Sequence, residues 1–224
     1  MKSIPLFIGL FAEGTTDLRF LEPIVEKTLN NIALNESNQT IDILIYPILI
    51  EKSGEPFINQ ILLASSKGMN DFAMNILCIH ADADDEKSQN TYANRINPSL
   101  ELLNQKDATD YCKDTIAIVP IQETESWMLA DKRLLKEQIG TNKTDNELGI
   151  SRNPESISKP KEVIEEAIRL STSNTHRRRG SKLSISDLYS VIGNSINLQE
   201  LERLQSYQDF KENARNVFRK MNLI

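Results

Sequence analysis

Four apolar runs of strand length, separated by segments of helical character, constrain the fold of this chain more than any other feature. The runs cover residues 4–12, 41–50, 72–80 and 115–121. The first two intervening segments place apolar residues at spacings of three and four, as one face of an amphipathic helix does. Strands that alternate with helices predict βαβ units and a parallel sheet.

The predicted fold class is therefore α/β, with a four-stranded, mainly parallel sheet flanked by helices and a C-terminal helical extension. Pro47 lies near the end of the second run, and proline inside a strand is typical of a sheet edge. The common strand order 2-1-3-4 puts that strand at an edge and makes the first and third strands neighbours. We expect an α/β domain over residues 1–140, followed by a polar linker and a helical region over 141–224.

Composition excludes several classes of protein. The formal net charge is −6, so nucleic acid would have to be bound through local basic residues or a cation rather than through bulk attraction. Two histidines and two cysteines, Cys78 and Cys112, provide no zinc spacing and no disulfide framework. No apolar stretch approaches the length of a membrane-spanning helix, and the run at residues 4–12 lacks a cleavage pattern, which predicts a cytoplasmic protein.

Carboxylates follow three of the four predicted strands. Glu13 follows the first, Asp82 and Asp84 follow the third, and Glu123 and Glu125 follow the fourth. Parallel sheets bind ligands beyond the carboxyl ends of their strands, at the point where the strand order reverses. Several anions that close together need either a cation or bound protons, and oxygen ligands favour Mg²⁺ or Mn²⁺.

The spacing of Asp82 and Asp84 suggests that both side chains point the same way from a strand end. An ordinary interpretation stays open beside this one. Acidic residues after strands are often solvated loop residues, and a carboxylate such as Glu13 gains stability from the dipole of the following helix.

Two motifs resemble the Toprim domain of type IA topoisomerases, primases and overcoming-lysogenization-defect (OLD) nucleases. The first is FAEGTTD at residues 11–17, and the second is IHADAD at residues 79–84. The segment 120–131, PIQETESWMLAD, is similar to a stretch of small standalone bacterial Toprim proteins, which often accompany an ATPase in phage-defence or mobile-element loci. The resemblance spans about residues 4–135 and implies a Rossmann-like fold with a magnesium-dependent nuclease activity.

The resemblance also implies residue roles. Glu13 corresponds to the family's general acid or base or metal ligand, and Asp82 and Asp84 correspond to its Mg²⁺-binding pair. Asp17 matches a further acidic position of the nuclease members, and Glu125 is the candidate for a second metal or for orienting water. Glu123 is the alternate for Glu125. The implied cofactor is one or two Mg²⁺ ions, with Mn²⁺ as a substitute.

A basic residue for the scissile phosphate cannot be aligned from the sequence. The candidates for contacting nucleic acid lie in one basic segment: Arg177, Arg178, Arg179 and Lys182. A solvated loop is the alternative for that segment. Trp127 is expected in the core rather than stacked on a base, and His80 is expected beside the metal site rather than as a ligand.

The predicted function is metal-dependent cleavage of phosphodiester bonds in nucleic acid, with DNA favoured over RNA and an ATPase as partner protein. The alternative is a non-catalytic interaction or regulatory subunit of an ATPase complex. A phosphoacceptor receiver domain fits less well, because it requires paired acids after the first strand and a single aspartate after the third.

Overall fold

The sheet has four strands, all parallel. The computed structural model describes residues 3–51, 54–171 and 183–224. The strands are β1 (Ile4–Phe11), β2 (Ile41–Pro47), β3 (Ile76–His80) and β4 (Asp114–Ile118). Their order is β2-β1-β3-β4. The predicted α/β class, the strand order and the position of Pro47 at an edge strand are confirmed.

The register of the strands sets where the site can form. Phe11 of β1 pairs with Ile79 of β3, and His80 of β3 pairs with Ile118 of β4. The residues that follow these three strands therefore leave the sheet at the same edge. The order of strands reverses between β1 and β3, where a ligand crevice is expected in such a sheet.

Ten helical segments surround the sheet within the described ranges. They are α1 (Thr15–Glu36), α2 (Phe57–Phe72), α3 (Gln89–Thr91), α4 (Asn97–Gln105), α5 (Glu125–Met128), α6 (Lys132–Gln138), α7 (Pro160–Ser171), α8 (Ile185–Ser195), α9 (Leu198–Leu201) and α10 (Gln205–Lys220). A π-helical turn, Tyr92–Ile96, joins α3 to α4, and a 3-10 turn, Pro154–Ser156, precedes α7. No helix in these ranges combines the length and the apolar character that a membrane crossing requires.

Each face of the sheet has its own hydrophobic core. Alternate residues of the buried strand β3 point to opposite faces, so that Cys78 joins one cluster while Leu77 and Ile79 join the other. The larger cluster contains α1, α8 and α10, and the smaller one contains α2 and α4. Burial on both faces explains why β3 is a continuous apolar run in the sequence.

The C-terminal region packs against the sheet domain through the larger core. Trp127 is fully buried, donates from Nε1 to Ser206 Oγ at 2.8 Å, and meets the ring of Tyr207 edge-on. The predicted core position of Trp127 is confirmed. Leu148 and Ile150 are buried in the same core, so the polar segment after residue 140 folds back onto the body of the protein. The division at residue 140 stays a prediction.

Helix α8 lies unusually close to α1. A Cβ added to Gly193 of α8 would lie 2.4 Å from the carbonyl oxygen of Phe20 in α1. Any larger side chain would push the two helices apart. Glycine at this position therefore allows α8 to reach across α1, and Tyr189 of α8 extends to the carboxyl edge of the sheet, where it contacts Glu125.

Candidate functional site at the carboxyl edge of the sheet

Asp82 is the most firmly held carboxylate of the site. Its Oδ1 accepts hydrogen bonds from the backbone N of Thr124 at 2.8 Å and from Thr124 Oγ1 at 3.2 Å. Buried His80 places Nε2 3.3 Å from the same oxygen. Burial alone would raise the pKa of Asp82, but the charge and hydrogen bond of His80 and the bonds from Thr124 outweigh it, and the pKa is lowered. Asp82 is therefore ionised and fixed in orientation.

His80 links the acids beneath the site. It is fully buried, and its Nε2 lies 3.0 Å from Thr124 Oγ1. Burial would lower the pKa of His80, but Asp82, Asp17 and Glu13 raise it further, so the net shift is upward. Asp82 contacts this imidazole directly, the charges of Asp17 and Glu13 also raise its pKa, and the parallel pairing of β1 with β3 puts the residues that follow both strands at the same edge of the sheet. The prediction that His80 lies beside the acids is confirmed.

Asp17 lies in the first turn of α1, and its side chain bonds back to the N-terminus of the helix. Gly14 is the N-cap residue, and its backbone N–H bonds the Asp17 carboxylate, while the single hydroxyl proton of Thr124 is shared between Asp17 and Asp82. A Cβ at position 14 would lie 2.6 Å from Asp17 Oδ2, so glycine leaves room for the carboxylate. Burial, with the charge of Asp82, raises the pKa of Asp17 despite these bonds and the charge of His80.

Asp84 differs from the sequence expectation in its backbone. Strand β3 ends at His80, and Asp84 has a φ of 52°, in the left-handed region that few non-glycine residues adopt. Its N–H donates to the carbonyl of Gln122 at 2.8 Å, which ties the turn after β3 to the turn after β4. The strand-like alternation expected for Asp82 and Asp84 is therefore wrong. Asp84 is exposed, and burial of part of its surface with the charge of Asp82 raises its pKa.

Glu13 lies at the open side of the site with Arg95. Arg95 Nη2 donates to Glu13 Oε1 at 2.6 Å, and both side chains are about one-third exposed or less, at 26% and 35%. Arg95 lies on the π-helical turn, and its guanidinium carbon is 4.3 Å from the centre of the Phe57 ring. The same positive charge opposes, without reversing, the upward shift that burial and Asp82 cause in the pKa of Asp84. Arg95 is thus a cation placed within the row of acids.

The two glutamates after β4 have different surroundings. Glu125 is 5% exposed and accepts a hydrogen bond from the hydroxyl of Tyr189. Glu123 is half-buried, and its Oε2 is a buried atom without a hydrogen-bond partner. Burial raises the pKa of both, and Asp82 adds to the shift. The carboxylate of Glu125 is oriented by Tyr189, whereas Oε2 of Glu123 has no hydrogen-bond partner.

The pKa values of the site show how crowded the acids are. Four carboxylates have raised pKa values, in each case first through burial and then through a neighbouring carboxylate: Asp17, Asp84, Glu123 and Glu125. Such a cluster is stabilised by protons or by a cation. Hard oxygen donors favour Mg²⁺ or Mn²⁺ among cations.

Carboxylate oxygens suit such an ion in their chemistry, but the described side chains are not arranged to hold one. The available Oε2 of Glu123 and the mutual proximity of the acids favour a cation. Within the described ranges, however, no group of three or more Asp, Glu, His or Cys side chains is placed to hold a metal ion. Thr124, Arg95 and Tyr189 instead bond to Asp82, Glu13 and Glu125. Coordination would require some of these side chains to turn.

The structure adds three residues that sequence reasoning missed: Thr124, Arg95 and Tyr189. Thr124 lies between Glu123 and Glu125, so the sequence could have predicted that it lies near the site. Its hydrogen bonds to Asp82 could not be predicted in this way. Arg95 and Tyr189 come from distant segments, and no local pattern marks them. The predicted nucleic-acid contacts Arg177, Arg178, Arg179 and Lys182 lie outside the described residues.

Comparison with known proteins gives one match. A search of curated proteins found no match, and a search of solved structures found none. A family model described as a domain of unknown function, DUF4276, matches residues 12–211, which include every acid of the site. Because that match covers most of the sequence, the chain belongs to the DUF4276 family.

Proposed function

We propose that this protein is a Mg²⁺-dependent nuclease of Toprim type that cleaves phosphodiester bonds in nucleic acid, with DNA as the favoured substrate. The observation that carries the proposal is the convergence of Glu13, Asp17 and Asp82 on His80 at the reversal point of the sheet. The segments that follow β1 and β3 supply these acids at one edge of the sheet. We further propose an ATPase partner, a role in bacterial defence or in a mobile element, and a cytoplasmic location.

The acidic residues and their hydrogen-bond partners have different roles in holding a cation. Asp82 is held ionised by Thr124 and His80, and Asp84 and Glu13 are the other candidate ligands. Asp17 is the further candidate, with Thr124 among the groups that act on its carboxylate. When bound, the cation supplies Lewis-acid polarisation of the phosphodiester and stabilises the leaving oxygen.

Glu125 is the candidate for orienting the attacking water or for a second cation. Its burial raises its pKa, which brings the carboxylate closer to the range in which it exchanges a proton near neutral pH. Tyr189 donates to Oε1 and fixes the orientation of the carboxylate. Glu123, with its available oxygen, is the alternate.

A plasmid-nicking assay with Mg²⁺ or Mn²⁺ tests the proposal. We expect Asp82→Ala and Glu13→Ala to reduce cleavage by about a hundredfold or more, because each removes a ligand rather than its support. Asp85→Ala is the matched control, since Asp85 lies in the same turn and the hydrogen bonds described for its side chain are with Glu86 and Asn90. Equal cleavage by wild type and both ligand variants, or a wild-type protein that binds no Mn²⁺, would reject the proposal.

One observation favours a second candidate, a non-catalytic subunit that docks on an ATPase. The acids have protein donors, and the described residues hold no ready metal group. A subunit that keeps its acids for stability would show this arrangement. Co-purification with an ATPase, together with no metal-dependent cleavage by the complex, would support it over the nuclease.

A further inference from the structure

The two edges of the sheet have different surroundings. Along β4, α10 covers the edge: Asn213 Nδ2 donates to the carbonyl of Ala117 at 3.4 Å, and Lys220 Nζ lies 2.6 Å from Asp114 Oδ1. Along β2, α1 packs on one face, but no strand or helix of the described ranges pairs with the outer side of the strand. An open edge is an unpaired row of backbone donors and acceptors, which proteins usually cover or block.

The register shows which backbone groups of β2 point outward. At the two ends of the β1–β2 pairing, Ile4 N donates to the carbonyl of Thr40, and Ile48 N donates to the carbonyl of Leu10. Because ladder bonds alternate along a strand, the even-numbered residues of β2 bond to β1 and the odd-numbered ones direct their backbone groups outward. Within the described ranges, no hydrogen bond to these outward groups is found. They are the N–H and C=O of Ile41, Ile43 and Ile45 and the carbonyl of Pro47.

We propose that this edge binds the same edge of a second copy of the chain, with the two β2 strands antiparallel and the two-fold axis at Leu44. Ile43 of each copy then exchanges two backbone hydrogen bonds with Ile45 of the other, and the Ile41 N–H donates to the carbonyl of Pro47. The two four-stranded sheets become one continuous sheet. This pairing goes beyond the proposed function and does not depend on it.

Side-chain chemistry selects Leu44 as the axis. The isoleucines of β2 turn to the larger core, so Leu44 lies on the other face of the strand, where it is 43% exposed. An axis at Leu44 sets this side chain against its own copy and removes apolar surface from water. Asp42, the charged residue of β2, then faces Tyr46 and opposes no like charge.

The neighbouring registers are less favourable. An axis at Ile43 would bring the Asp42 carboxylate against exposed Leu44 instead of an apolar partner. An axis at Ile45 would put Pro47, which lacks an N–H, opposite Ile43 and would remove a hydrogen bond from that pair. Charge and backbone donors therefore favour pairing centred on Leu44. Because the paired strands are antiparallel, the acidic sites of the two copies lie at opposite ends of the dimer.

Sedimentation velocity at tens of micromolar protein tests the pairing. We expect the wild type to sediment as a dimer, at twice the 25.4 kDa of one chain. Leu44→Lys should weaken dimerisation about tenfold or more, because it places two ammonium groups against each other at the axis. Val191→Lys is the matched control, since Val191 is 42% exposed, close to the value for Leu44, but lies on α8, which packs on α1. It should sediment as the wild type does.

Leu44→Cys tests the register. Facing residues at a non-hydrogen-bonded position of antiparallel strands have Cα atoms about 4.5 Å apart, a distance that a disulfide can span. We expect the oxidant diamide to link two Leu44→Cys chains through a disulfide. Val191→Cys and the wild type, whose Cys78 and Cys112 are buried, should stay unlinked.

Circular dichroism checks that every variant is folded. A wild type that sediments as a monomer overturns the inference, as does a Leu44→Lys protein that dimerises as tightly as the wild type. Absence of the Leu44→Cys cross-link also overturns it. None of these results bears on the nuclease proposal, which the nicking assay tests separately.

Discussion

The two sides of the acidic site are built differently. On the side of β3 and β4, Asp82 is bonded by the backbone and hydroxyl of buried Thr124 and lies beside buried His80. On the side of β1, Glu13 is paired with Arg95, a long side chain that is 26% exposed. A carboxylate held by buried donors keeps its orientation, whereas one held by a partly solvated side chain can exchange its partner. The difference teaches that the fold fixes the orientation of Asp82 in advance and leaves that of Glu13 adjustable.

Replacing Thr124 by valine tests the fixed side most directly. Valine keeps the shape of the residue and the backbone N–H but removes the hydroxyl that bonds Asp82. Loss of a residue that orients a metal ligand typically weakens metal binding by about ten- to a hundredfold. We expect that reduction in Mn²⁺ affinity, measured by titration calorimetry.

Thr124→Ser is the control for this substitution, since serine keeps the hydroxyl. It should retain Mn²⁺ affinity close to that of wild type. If the Thr124→Val protein binds Mn²⁺ as tightly as the Thr124→Ser protein, the hydroxyl does not orient Asp82. The comparison of a fixed Asp82 with an adjustable Glu13 then fails.

Substitutions on the two sides should also differ in how much they lower the free energy of unfolding. Asp82→Asn should lower the free energy of unfolding by about 2 kcal/mol near neutral pH, since it removes a charged acceptor from buried donors. Glu13→Gln should lower it by only about 0.5 kcal/mol, because the pair with Arg95 is partly exposed. Urea unfolding of both variants provides the measurement.

The loss of stability caused by Asp82→Asn should depend on pH in a defined direction. Because the pKa of Asp82 is lowered in the folded protein, its stabilisation is complete above the pKa of the unfolded carboxyl group and is lost as pH falls through the folded pKa. The Asp82→Asn deficit should therefore shrink in acid. Equal losses for the two variants at neutral pH would contradict the comparison.

Glu125→Gln should raise the free energy of unfolding rather than lower it, by less than Asp82→Asn lowers it. Burial raises the pKa of Glu125, so its ionised form destabilises the folded protein as pH rises from the range of the unfolded carboxyl group through the folded pKa. Glutamine removes that cost and still accepts from Tyr189. We expect about 1 kcal/mol of added stability near neutral pH, which disappears toward about pH 4.

Urea unfolding at both pH values measures this effect, with Glu137→Gln as the control on an exposed glutamate of α6. A variant less stable than wild type at neutral pH would show that the charge of Glu125 is itself stabilising. Glu125 would then belong with Asp82 among the acids that the fold holds ionised.

Much of the fold was readable from local patterns. Apolar runs gave four strands, and their bounds shifted by only a few residues, as with β1 at Ile4–Phe11 against an expected 4–12. Pro47 placed β2 at an edge because a missing N–H is tolerated only there. The convergence of acids followed from strand order alone, since parallel strands end at one edge.

Other parts of the site could not be predicted locally. Asp84 was expected to continue a strand, but it has a positive φ, and its backbone N–H donates to the carbonyl of Gln122 in the turn after β4. Arg95 and Tyr189 reach the acids through the π-helical turn and through the close approach of α8 to α1. Such contacts depend on which helices pack together, and a single sequence does not display that.

The sequence by itself determined the α/β class, the parallel order of the strands and which carboxylates reach the carboxyl edge, because apolar periodicity and chain connectivity are local properties. Only the tertiary structure decided which of those acids is fixed and which is exchangeable. That distinction depends on the burial and charge of partners such as Thr124 and Arg95, which are set by packing between segments distant along the chain.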